Sequence, residues 1–360
     1  MLHGAVTVAN LVGMNQSTLQ SVHQYVLDNG GALPRRDLPF SSRTLTRAVR
    51  SGAVRRARRG WYTTFTEADP RFVALRVGGR LTGIAALVLL GAWTWQTDIP
   101  LAVSVPRNAA RLRRAPGVRV VHDRQHVVDR GDHTVVDARD ALRRALLDSS
   151  FEAAVALWDW ARRSSLYSVD DLREVLDSLP ADARGVATWS DAESQSVLES
   201  VARVRYIADG HHVEAQVAVS TGQSIDLVVD GVVAVELDGR EFHQSTFEAD
   251  RTKDLAIAID GKMPLRMSST MVRHAWDQIR LATTRAVQRH LGDSTAAIGV
   301  RPLRRVRPRG RRPWRCRVSP AAMDEAHLAA PRGRLTSSEV RAQRDADAMS
   351  SLARAGRACS

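Results

Sequence analysis

The chain has 360 residues, 44% of them hydrophobic and 25% charged, which is the composition of a globular protein long enough for two or three domains. Its net charge of +13 is uneven: residues 292–360 hold 15 Arg and 6 acids, a net +9, so the other 291 residues carry only +4. Both cysteines, Cys316 and Cys359, lie in this basic region, which excludes a disulfide framework or a cysteine-ligated zinc site from the rest of the chain.

The first predicted domain covers residues 15–66. The segment STLQSVHQYVLDNGG has apolar residues at helical spacing and ends at a Gly-Gly pair, and PRRDL allows only a short helix. Ser41 or Ser42 can cap a third helix, which runs through Arg50 and ends at Gly52. Two short strands follow in AVRRARRGWYTTF. Helix, short helix, helix and strand pair is the order of a winged helix-turn-helix.

The third helix of this domain has a cationic face, because its arginines lie three and four residues apart. Such a face can enter a DNA major groove, with arginines of the strand pair near the phosphates. The residues assigned to DNA binding are Arg43, Arg47, Arg50, Arg55, Arg56, Arg58 and Arg59. The alternatives are a face docked within the protein and a solvated face in a chain that has 50 Arg and only 2 Lys.

This domain resembles the N-terminal winged-helix domain of AbiE-type antitoxins. The resemblance rests on GGALPRRDL and on SSRTLTRAVRSGAVRRARRGWY with its RRGWY ending, and it covers this domain alone. It implies a winged helix that binds DNA.

Two predicted segments connect this domain to the last one. Residues 70–135 mix a helix around Ala85 with the strands PLAVSV and GVRVVHD, and are predicted to form an α/β connector. Residues 136–188 are predicted to be helical, with Ser168 and Asp171 as a capping pair. The most apolar stretch, LTGIAALVLLGAWTW, has 15 residues, short of the roughly 20 that span a bilayer. It is also internal, so we expect a cytoplasmic protein with no membrane partner.

The last predicted domain, residues 189–291, alternates helices and strands. SDAESQSVLESVARVRY predicts a helix, and VEAQVAVS, IDLVV and VVAVELD predict three strands. FEADRTKDLAIAID predicts a helix, PLRMS a strand and SSTMVRHAWDQIRLATTRAVQRHL a final amphipathic helix. The order α-β-β-β-α-β-α fits a small mixed sheet with helices on both sides.

Three acids, Asp226, Glu236 and Asp238, lie inside the apolar strands of this domain. A carboxylate in a strand needs a positive partner or a solvent-facing surface. Because no arginine lies inside the two strands, a metal site is favoured over ion pairing. Glu236 and Asp238 are two residues apart and share one face of the sheet.

The turn between the strands decides which face Asp226 occupies. A two-residue turn at Asp230-Gly231 places Asp226 opposite Val235, pointing away from Glu236. A three-residue loop, residues 229–231, pairs Asp226 with Ala234 and brings it to the same face as Glu236. The sequence leaves both turns open, and only the second one makes a metal site.

The segment resembles the PD-(D/E)xK nucleases, in which an aspartate, a hairpin and Glu-x-Lys hold the catalytic groups. More closely, it resembles the endonuclease-like domain related to the very-short-patch mismatch-repair endonuclease. The matching residues are Asp226, Glu236-Leu237-Asp238-Gly239, His243 and Asp250-Arg251. The resemblance implies a restriction-endonuclease-like fold and phosphodiester hydrolysis with Mg²⁺ or Mn²⁺ held by Asp226, Glu236 and Asp238. It also implies proton transfer or phosphate contact by His243.

The segment departs from the nuclease pattern at two positions. Ile225 stands in place of proline, and Asp238 stands in place of the lysine that orients or stabilises the nucleophile. We hypothesise that His243, Arg251 or Lys253 substitutes for it. The predicted catalytic set is Asp226, Glu236, Asp238, His243 and Lys253. An acid on the first helix completes the site in related nucleases, but Glu193 is explained by an S-x-x-E capping box with Ser190.

The sequence thus predicts a multidomain α/β protein: a winged helix, an α/β and helical middle, a restriction-endonuclease-like domain, and a basic, disordered tail at 292–360. The tail has two interpretations, a segment that binds a polyanion and an unselected extension of an arginine-rich chain. The predicted function is metal-dependent cleavage of DNA, with RNA not excluded as substrate. The alternative is a DNA-binding transcriptional regulator or antitoxin-like protein whose nuclease fold is degenerate, which the missing lysine favours. The sequence predicts no oligomeric state.

Overall fold

The structure is a computed structural model, and it describes residues 3–113, 115–220, 222–238 and 247–295. These residues form a mixed α/β protein with three small sheets, as the sequence predicts. Their contacts divide them into two compact units, each taken as far as it is described. Unit 1 is Met1–Gly91 with Asp98–Ala145, and unit 2 is Ala92–Thr97 with Leu146–Ser360. None of the helices in the described ranges is both long and apolar enough to cross a membrane.

Unit 1 begins with two helices and a three-stranded antiparallel sheet. The elements in chain order are α1 (His3–Asp28), β1 (Ala32–Pro34), a 3-10 turn (Arg35–Asp37), α2 (Ser42–Arg50), β2 (Arg55–Arg58) and β3 (Trp61–Thr63). Strand β3 lies between β1 and β2. Ser41 caps α2, since its Oγ accepts the Thr44 N–H at 3.1 Å. Leu45 and Ala48 of α2 are buried against α1, so the exposed side of this helix is its arginine side.

A second small sheet forms the rest of unit 1. Its elements are α3 (Pro70–Val77), β4 (Arg80–Thr82), α4 (Gly83–Leu89), β5 (Leu101–Pro106), β6 (Val118–Asp123) and α5 (Gln125–Asp129). Strand β5 is central, antiparallel to β4 and parallel to β6. The strands and the helix predicted within residues 70–135 are therefore confirmed.

Unit 2 consists of a helical part and a four-stranded mixed sheet. The boundary between the two units lies within helix α6 (Ala138–Asp148). The further elements are α7 (Phe151–Arg163), α8 (Val169–Ser178), α9 (Gly185–Thr188), α10 (Val197–Ala208), β7 (Val213–Ala218), β8 (Ser224–Val229), β9 (Val233–Asp238), α11 (Phe247–Ile259), β10 (Met263–Ser268), α12 (Ser269–His274) and α13 (Trp276–Thr295). The sheet order is β10-β9-β8-β7, with β10 parallel to β9 and the other pairs antiparallel.

The sheet of unit 2 is buried on both faces, so its central strands are apolar on both sides. Leu227, Val235 and Met267 contribute to one core with residues of α10 and α13. Val228 and Ala234 face the opposite way and pack with α11. By strand alternation, Asp226 and Glu236 belong to this second, α11-facing side.

Two predicted helices differ from the structure. The helix expected from Ser190 begins at Val197, with Ser196 as its cap. The long final helix is interrupted at Ala275, which separates α12 from α13. Helix α13 extends to Thr295, and the remainder of the predicted tail lies outside the described residues.

Candidate active site

The hairpin between β8 and β9 places the two central acids on one face. Asp230 and Gly231 both have positive φ, 51° and 71°, and the Val232 N–H donates to the Val229 oxygen at 3.0 Å, so the chain turns over two residues. The strand pairing is nevertheless shifted by one residue, with Val229 opposite Val233.

This pairing corrects both registers that the sequence leaves open. The ladder runs to Leu227 opposite Val235, so the next position sets Asp226 opposite Glu236 itself, rather than opposite Val235 or Ala234. Asp226 and Glu236 therefore share a face, as the metal-site hypothesis requires, but through a register that neither of the two turns gave.

The hydrogen-bonded ladder ends at these acids. The main-chain N–H of Leu237 donates to Asp226 Oδ2 at 2.8 Å, so a side chain takes the place of a backbone partner. That bond fixes the direction of the Asp226 carboxylate. It therefore anchors the first acid of the site to the strand that bears the second.

Each of the two outer strands contributes one polar residue level with the two acids, so that four polar residues form a row across the sheet. Gln216 on β7 lies between the pairs Ala215–Leu227 and Val217–Ile225, so it is level with Asp226. Arg266 on β10 is the register partner of Glu236. The row Gln216, Asp226, Glu236 and Arg266 therefore crosses the whole sheet, and a guanidinium at one end adds positive charge beside the acids. Arg266 also donates to Asp254 Oδ1 of α11 at 3.0 Å.

Glu236 is paired with a lysine from α11. Lys253 Nζ donates to Glu236 Oε2 at 2.5 Å, and the two residues are only 8% and 7% exposed. The other oxygen, Glu236 Oε1, is buried and accepts no hydrogen bond from any residue that the structure describes. Two of the residues hypothesised to replace the missing lysine, Arg251 and Lys253, lie in the described part of the chain, and Lys253 is the one that reaches Glu236. Glu236 has a cationic partner after all, supplied by a helix and not by the strands.

Burial dominates the electrostatics of the site. Burial, together with the charge of the nearby Asp226 carboxylate, raises the pKa of Glu236 from 4.5 to about 7 against the opposing hydrogen bond and charge of Lys253. Burial also raises the pKa of Asp226, which the hydrogen bond from Leu237 and the charge of Lys253 lower. Two carboxylates with raised pKa values on one face are a frequent property of functional sites.

A third acid approaches this pair, and it is not one that the sequence analysis selected. Glu199, in the first turn of α10, is buried, and its pKa is raised by burial and by the charge of Asp226. Its Oε2 accepts hydrogen bonds from the Gln195 N–H and from Gln216 Nε2, both at 2.8 Å. The signal was present as a second S-x-x-E pattern, Ser196 to Glu199, since Ser196 Oγ accepts the Glu199 N–H at 3.2 Å.

The predicted capping box at Ser190 and Glu193 is wrong. Ser190 instead donates to the buried Asp159 Oδ1 at 2.6 Å, and the Asp191 N–H donates to the same oxygen at 2.9 Å. The Glu193 N–H donates to Asp191 Oδ1 in a local turn. This anchoring to α7 holds the segment out of helical conformation, so α10 starts six residues beyond Asp191.

The remaining predicted site residues are less central. Asp238 is half-buried on the face of Glu236 and raises the pKa of Asp226 by its charge. Arg251 is exposed, and His243 lies outside the described residues. Within the described part of the chain, no three His, Cys, Asp or Glu side chains are grouped so that they could hold a metal ion. The predicted trio Asp226, Glu236 and Asp238 is therefore not assembled as three ligands in this conformation, in which Lys253 holds one oxygen of Glu236.

No protein-family model matches the chain, and no curated protein matches its sequence. The chemistry of the site therefore rests on its own side chains. Facing carboxylates with one unpaired buried oxygen can bind a hard cation, and an adjacent ammonium can meet an anionic substrate.

The arginines predicted to bind DNA divide into two groups in unit 1. Arg43, Arg47 and Arg50 are exposed on α2, opposite the buried Leu45 and Ala48, as the helical spacing predicts. Arg56 and Arg59 are also exposed. These five side chains form a cationic surface on unit 1.

The other two arginines of the strand pair are involved in packing. Arg55 donates to the Thr64 oxygen at 3.5 Å and is half-buried. Arg58 lies with its guanidinium 5.2 Å from the centre of the Trp61 ring, and burial lowers its pKa. Arg58 therefore contributes to the structure of unit 1, because its guanidinium is packed against a ring and only part of it faces solvent.

Proposed function

We propose that the protein is a Mg²⁺- or Mn²⁺-dependent endonuclease that hydrolyses DNA phosphodiester bonds. The observation that carries this proposal is the set of facing carboxylates of Asp226 and Glu236 beside the Lys253 ammonium. The order of these groups on a hairpin and the following helix supports a PD-(D/E)xK-like arrangement within a restriction-endonuclease-like fold.

The side chains present fit a divalent cation. The Glu236 Oε1 atom is buried with no donor among the described residues, and burial raises the pKa of both carboxyls, so a further positive charge would stabilise their ionised forms. Carboxylate oxygens are the ligands that Mg²⁺ and Mn²⁺ prefer. We assign Asp226 and Glu236 as the residues that would hold the ion, with Asp238 beside them. When bound, such an ion lowers the pKa of a water molecule and offsets charge on the phosphate.

The protein's own residues would do the rest. Asp226, fixed by the Leu237 N–H, keeps its carboxylate aimed at the face where the substrate would lie. Lys253 would donate from Nζ to the attacking water or to a phosphate oxygen, which is the role of the lysine that Asp238 replaces. Arg266, level with Glu236 on the edge strand, would stabilise negative charge that develops on the phosphate.

Unit 1 would supply DNA binding. The exposed arginines of α2 would act as those of the recognition helix of a winged helix-turn-helix, with the strand pair β2–β3 as its wing. This assignment retains Arg43, Arg47, Arg50, Arg56 and Arg59 as phosphate or base contacts. It gives Arg55 and Arg58 a supporting role.

The second candidate is a DNA-binding regulator with a degenerate nuclease fold. The observation that favours it is the Lys253–Glu236 ion pair itself, because a buried lysine neutralises one of the two carboxylates without any metal. The cationic surface of unit 1 would serve this function equally well.

The test is incubation of the full chain with supercoiled plasmid, single-stranded DNA and RNA, each with Mg²⁺, Mn²⁺ or EDTA. The variants are Asp226→Asn and Glu236→Gln, which keep the side-chain shape, and the matched control is Asp260→Asn on the exposed turn before β10. Metal-dependent cleavage by the wild type and the control, absent from both site variants, supports the nuclease. Binding of DNA without cleavage under every condition contradicts it and favours the regulator. Cleavage of RNA alone would correct the substrate.

A further inference from the structure

Gln216 links two of the site's acids through one amide group. Its Nε2 donates to Glu199 Oε2 at 2.8 Å, and a further hydrogen bond from its side chain lowers the pKa of Asp226. Its Oε1 accepts the Ser224 hydroxyl at 2.6 Å. Because the hydroxyl occupies the amide oxygen, the amide nitrogen is the end that faces the carboxylates.

The backbone at Gln216 is in an unfavourable conformation for a residue with a side chain. Its φ is 52°, in the left-handed region, although it lies in the middle of β7. The pairing of β7 with β8 skips this residue, so the strand is irregular there. This irregularity turns Gln216 toward Glu199 of α10. Strained non-glycine residues of this kind concentrate at functional sites, where a side chain has to be aimed.

We infer that Gln216 is a positioning residue of the cation site, holding the Asp226 carboxylate in place beside Glu236 by tying it to the buried Glu199. The inference rests on the proposed function, because it concerns the same site. The three acids would otherwise repel one another in a buried environment. Lys253 counters that repulsion on the Glu236 side, and Gln216 counters it on the Asp226 side.

A neutral amide suits this position better than a second cation does. An ammonium or guanidinium between Asp226 and Glu199 would compete with the metal ion for the same oxygens. The amide donates hydrogen bonds to both carboxylates and adds no net charge, so the site keeps its attraction for a divalent cation. Groups that orient metal ligands in this way typically change metal affinity 10- to 100-fold, roughly, when removed.

The experiment measures Mn²⁺ affinity of the full-length protein by electron paramagnetic resonance, with melting temperature in EDTA followed by circular dichroism. Gln216→Ala and Gln216→Gly both remove the amide, but only the glycine relieves the positive φ. Ser224→Ala leaves the amide in place and removes what orients it. The double variant Ser224→Ala/Gln216→Ala tests whether Ser224 acts through Gln216, and Asp226→Ala marks loss of the site.

We expect both Gln216 variants to weaken Mn²⁺ binding on the order of tenfold. Gln216→Gly should melt at or above the temperature of Gln216→Ala, so that loss of affinity is separated from loss of stability. Ser224→Ala should weaken binding less, and the double variant should bind as Gln216→Ala does, since the two residues would act as one unit.

Two results would overturn the inference, and they differ. Wild-type affinity in the Gln216 variants, with binding lost in Asp226→Ala, would remove the role of Gln216 and leave the proposed nuclease intact. Equal Mn²⁺ binding by the wild type and Asp226→Ala, or none by either, would show that no cation site exists at Asp226. In that case the inference and the proposed function would fail together.

Discussion

Lys253 Nζ lies 2.5 Å from Glu236 Oε2, and both side chains are buried. Lys253 is one of only two lysines in a chain with 50 arginines. It stands on the helix after the hairpin, 17 residues beyond Glu236, whereas the nuclease pattern places its lysine two residues after the glutamate. In this chain the lysine that contacts the glutamate therefore comes from a helix, and Asp238 stands two residues after Glu236.

Replacing Lys253 by Met separates its two possible roles. If the ammonium acts on the water or the phosphate, Lys253→Met should lower the cleavage rate at least about 100-fold, which is the scale of a lost acid–base or electrostatic contribution. Its affinity for Mn²⁺ should be retained or increased, because the variant removes the cation that competes for Glu236. Plasmid cleavage and Mn²⁺ titration measure the two effects.

Lys262 is the matched control, since it is the other lysine and lies on the turn before β10, with a long ion pair to Asp260 of 3.9 Å. Lys262→Met should change neither rate nor affinity. Full cleavage by Lys253→Met would show that the ion pair is structural only.

The raised pKa of Glu236 predicts a pH-dependent stability in the absence of metal. A carboxyl whose pKa rises from 4.5 to about 7 on folding favours the protonated form in the folded state. Its contribution to stability is present below the unfolded pKa and is lost as the pH rises toward 7. Relative to Glu236→Gln, which does not titrate, the wild type should therefore lose about 3 kcal/mol of stability between about pH 4.5 and 7.

Urea unfolding at several pH values in EDTA measures this difference. The control is Glu174→Gln, at an exposed position of α8, whose unfolding free energy should change with pH as that of the wild type does. Saturating Mg²⁺ should restore stability to the wild type alone at pH 8, because an ion that binds only the folded state stabilises it. If the difference in unfolding free energy between the wild type and Glu236→Gln stays constant with pH, the raised pKa of Glu236 is contradicted.

The sequence alone did not decide whether the two central acids share a face of the sheet, because the strand register depends on the turn. Side chains alternate along a strand, so Asp226 comes to the face of Glu236 only when the pairing shifts by an odd number of residues from the register of a two-residue turn. The Asp230-Gly231 pair signals a two-residue turn, and the backbone does turn there. The turn residue Asp230 also has tertiary contacts that the local sequence does not signal: its Oδ2 lies 2.7 Å from His211 Nδ1, and its Oδ1 accepts the His212 N–H at 2.8 Å.

The helices of the site show why local signals were insufficient. Ser190–Glu193 and Ser196–Glu199 are both S-x-x-E patterns, and the sequence offers no local reason to choose the second. The difference lies in Asp159, 31 residues before Ser190: its carboxylate accepts the hydrogen bond of the Ser190 hydroxyl. Gln216 was likewise unremarkable in sequence, because a positive φ at a non-glycine residue leaves no compositional signal.

The buried ion pair of Asp159 and Arg203 predicts a large stability effect. Arg203 donates to Asp159 Oδ2 at 3.0 Å, and both residues are nearly inaccessible to solvent. Asp159→Ala would leave the Arg203 guanidinium buried without its counter-charge, which costs about 3–5 kcal/mol. The same substitution would also release the segment that precedes α10, the helix that bears Glu199. Denaturant unfolding measures the loss.

Asp170→Ala is the control, because Asp170 forms an exposed ion pair with Arg173 on α8. We expect that change to cost less than about 1 kcal/mol. Similar losses in the two variants would mean that Asp159 contributes little beyond a surface ion pair.

The cationic surface of unit 1 predicts a change in the salt dependence of DNA binding. If Arg43, Arg47 and Arg50 contact phosphates, the triple change to Gln should reduce the slope of log K against log salt by about 2–3, since each neutralised phosphate contributes about 0.9. Fluorescence anisotropy with a labelled duplex at several salt concentrations measures this slope. The control removes the same charge from unit 1 at three exposed arginines between β5 and β6, namely Arg107, Arg111 and Arg113. A fall of less than about 1 in the control would place the contact on α2. Equal falls in both triples would indicate a diffuse attraction by net charge, and the role of α2 as a recognition helix would be contradicted.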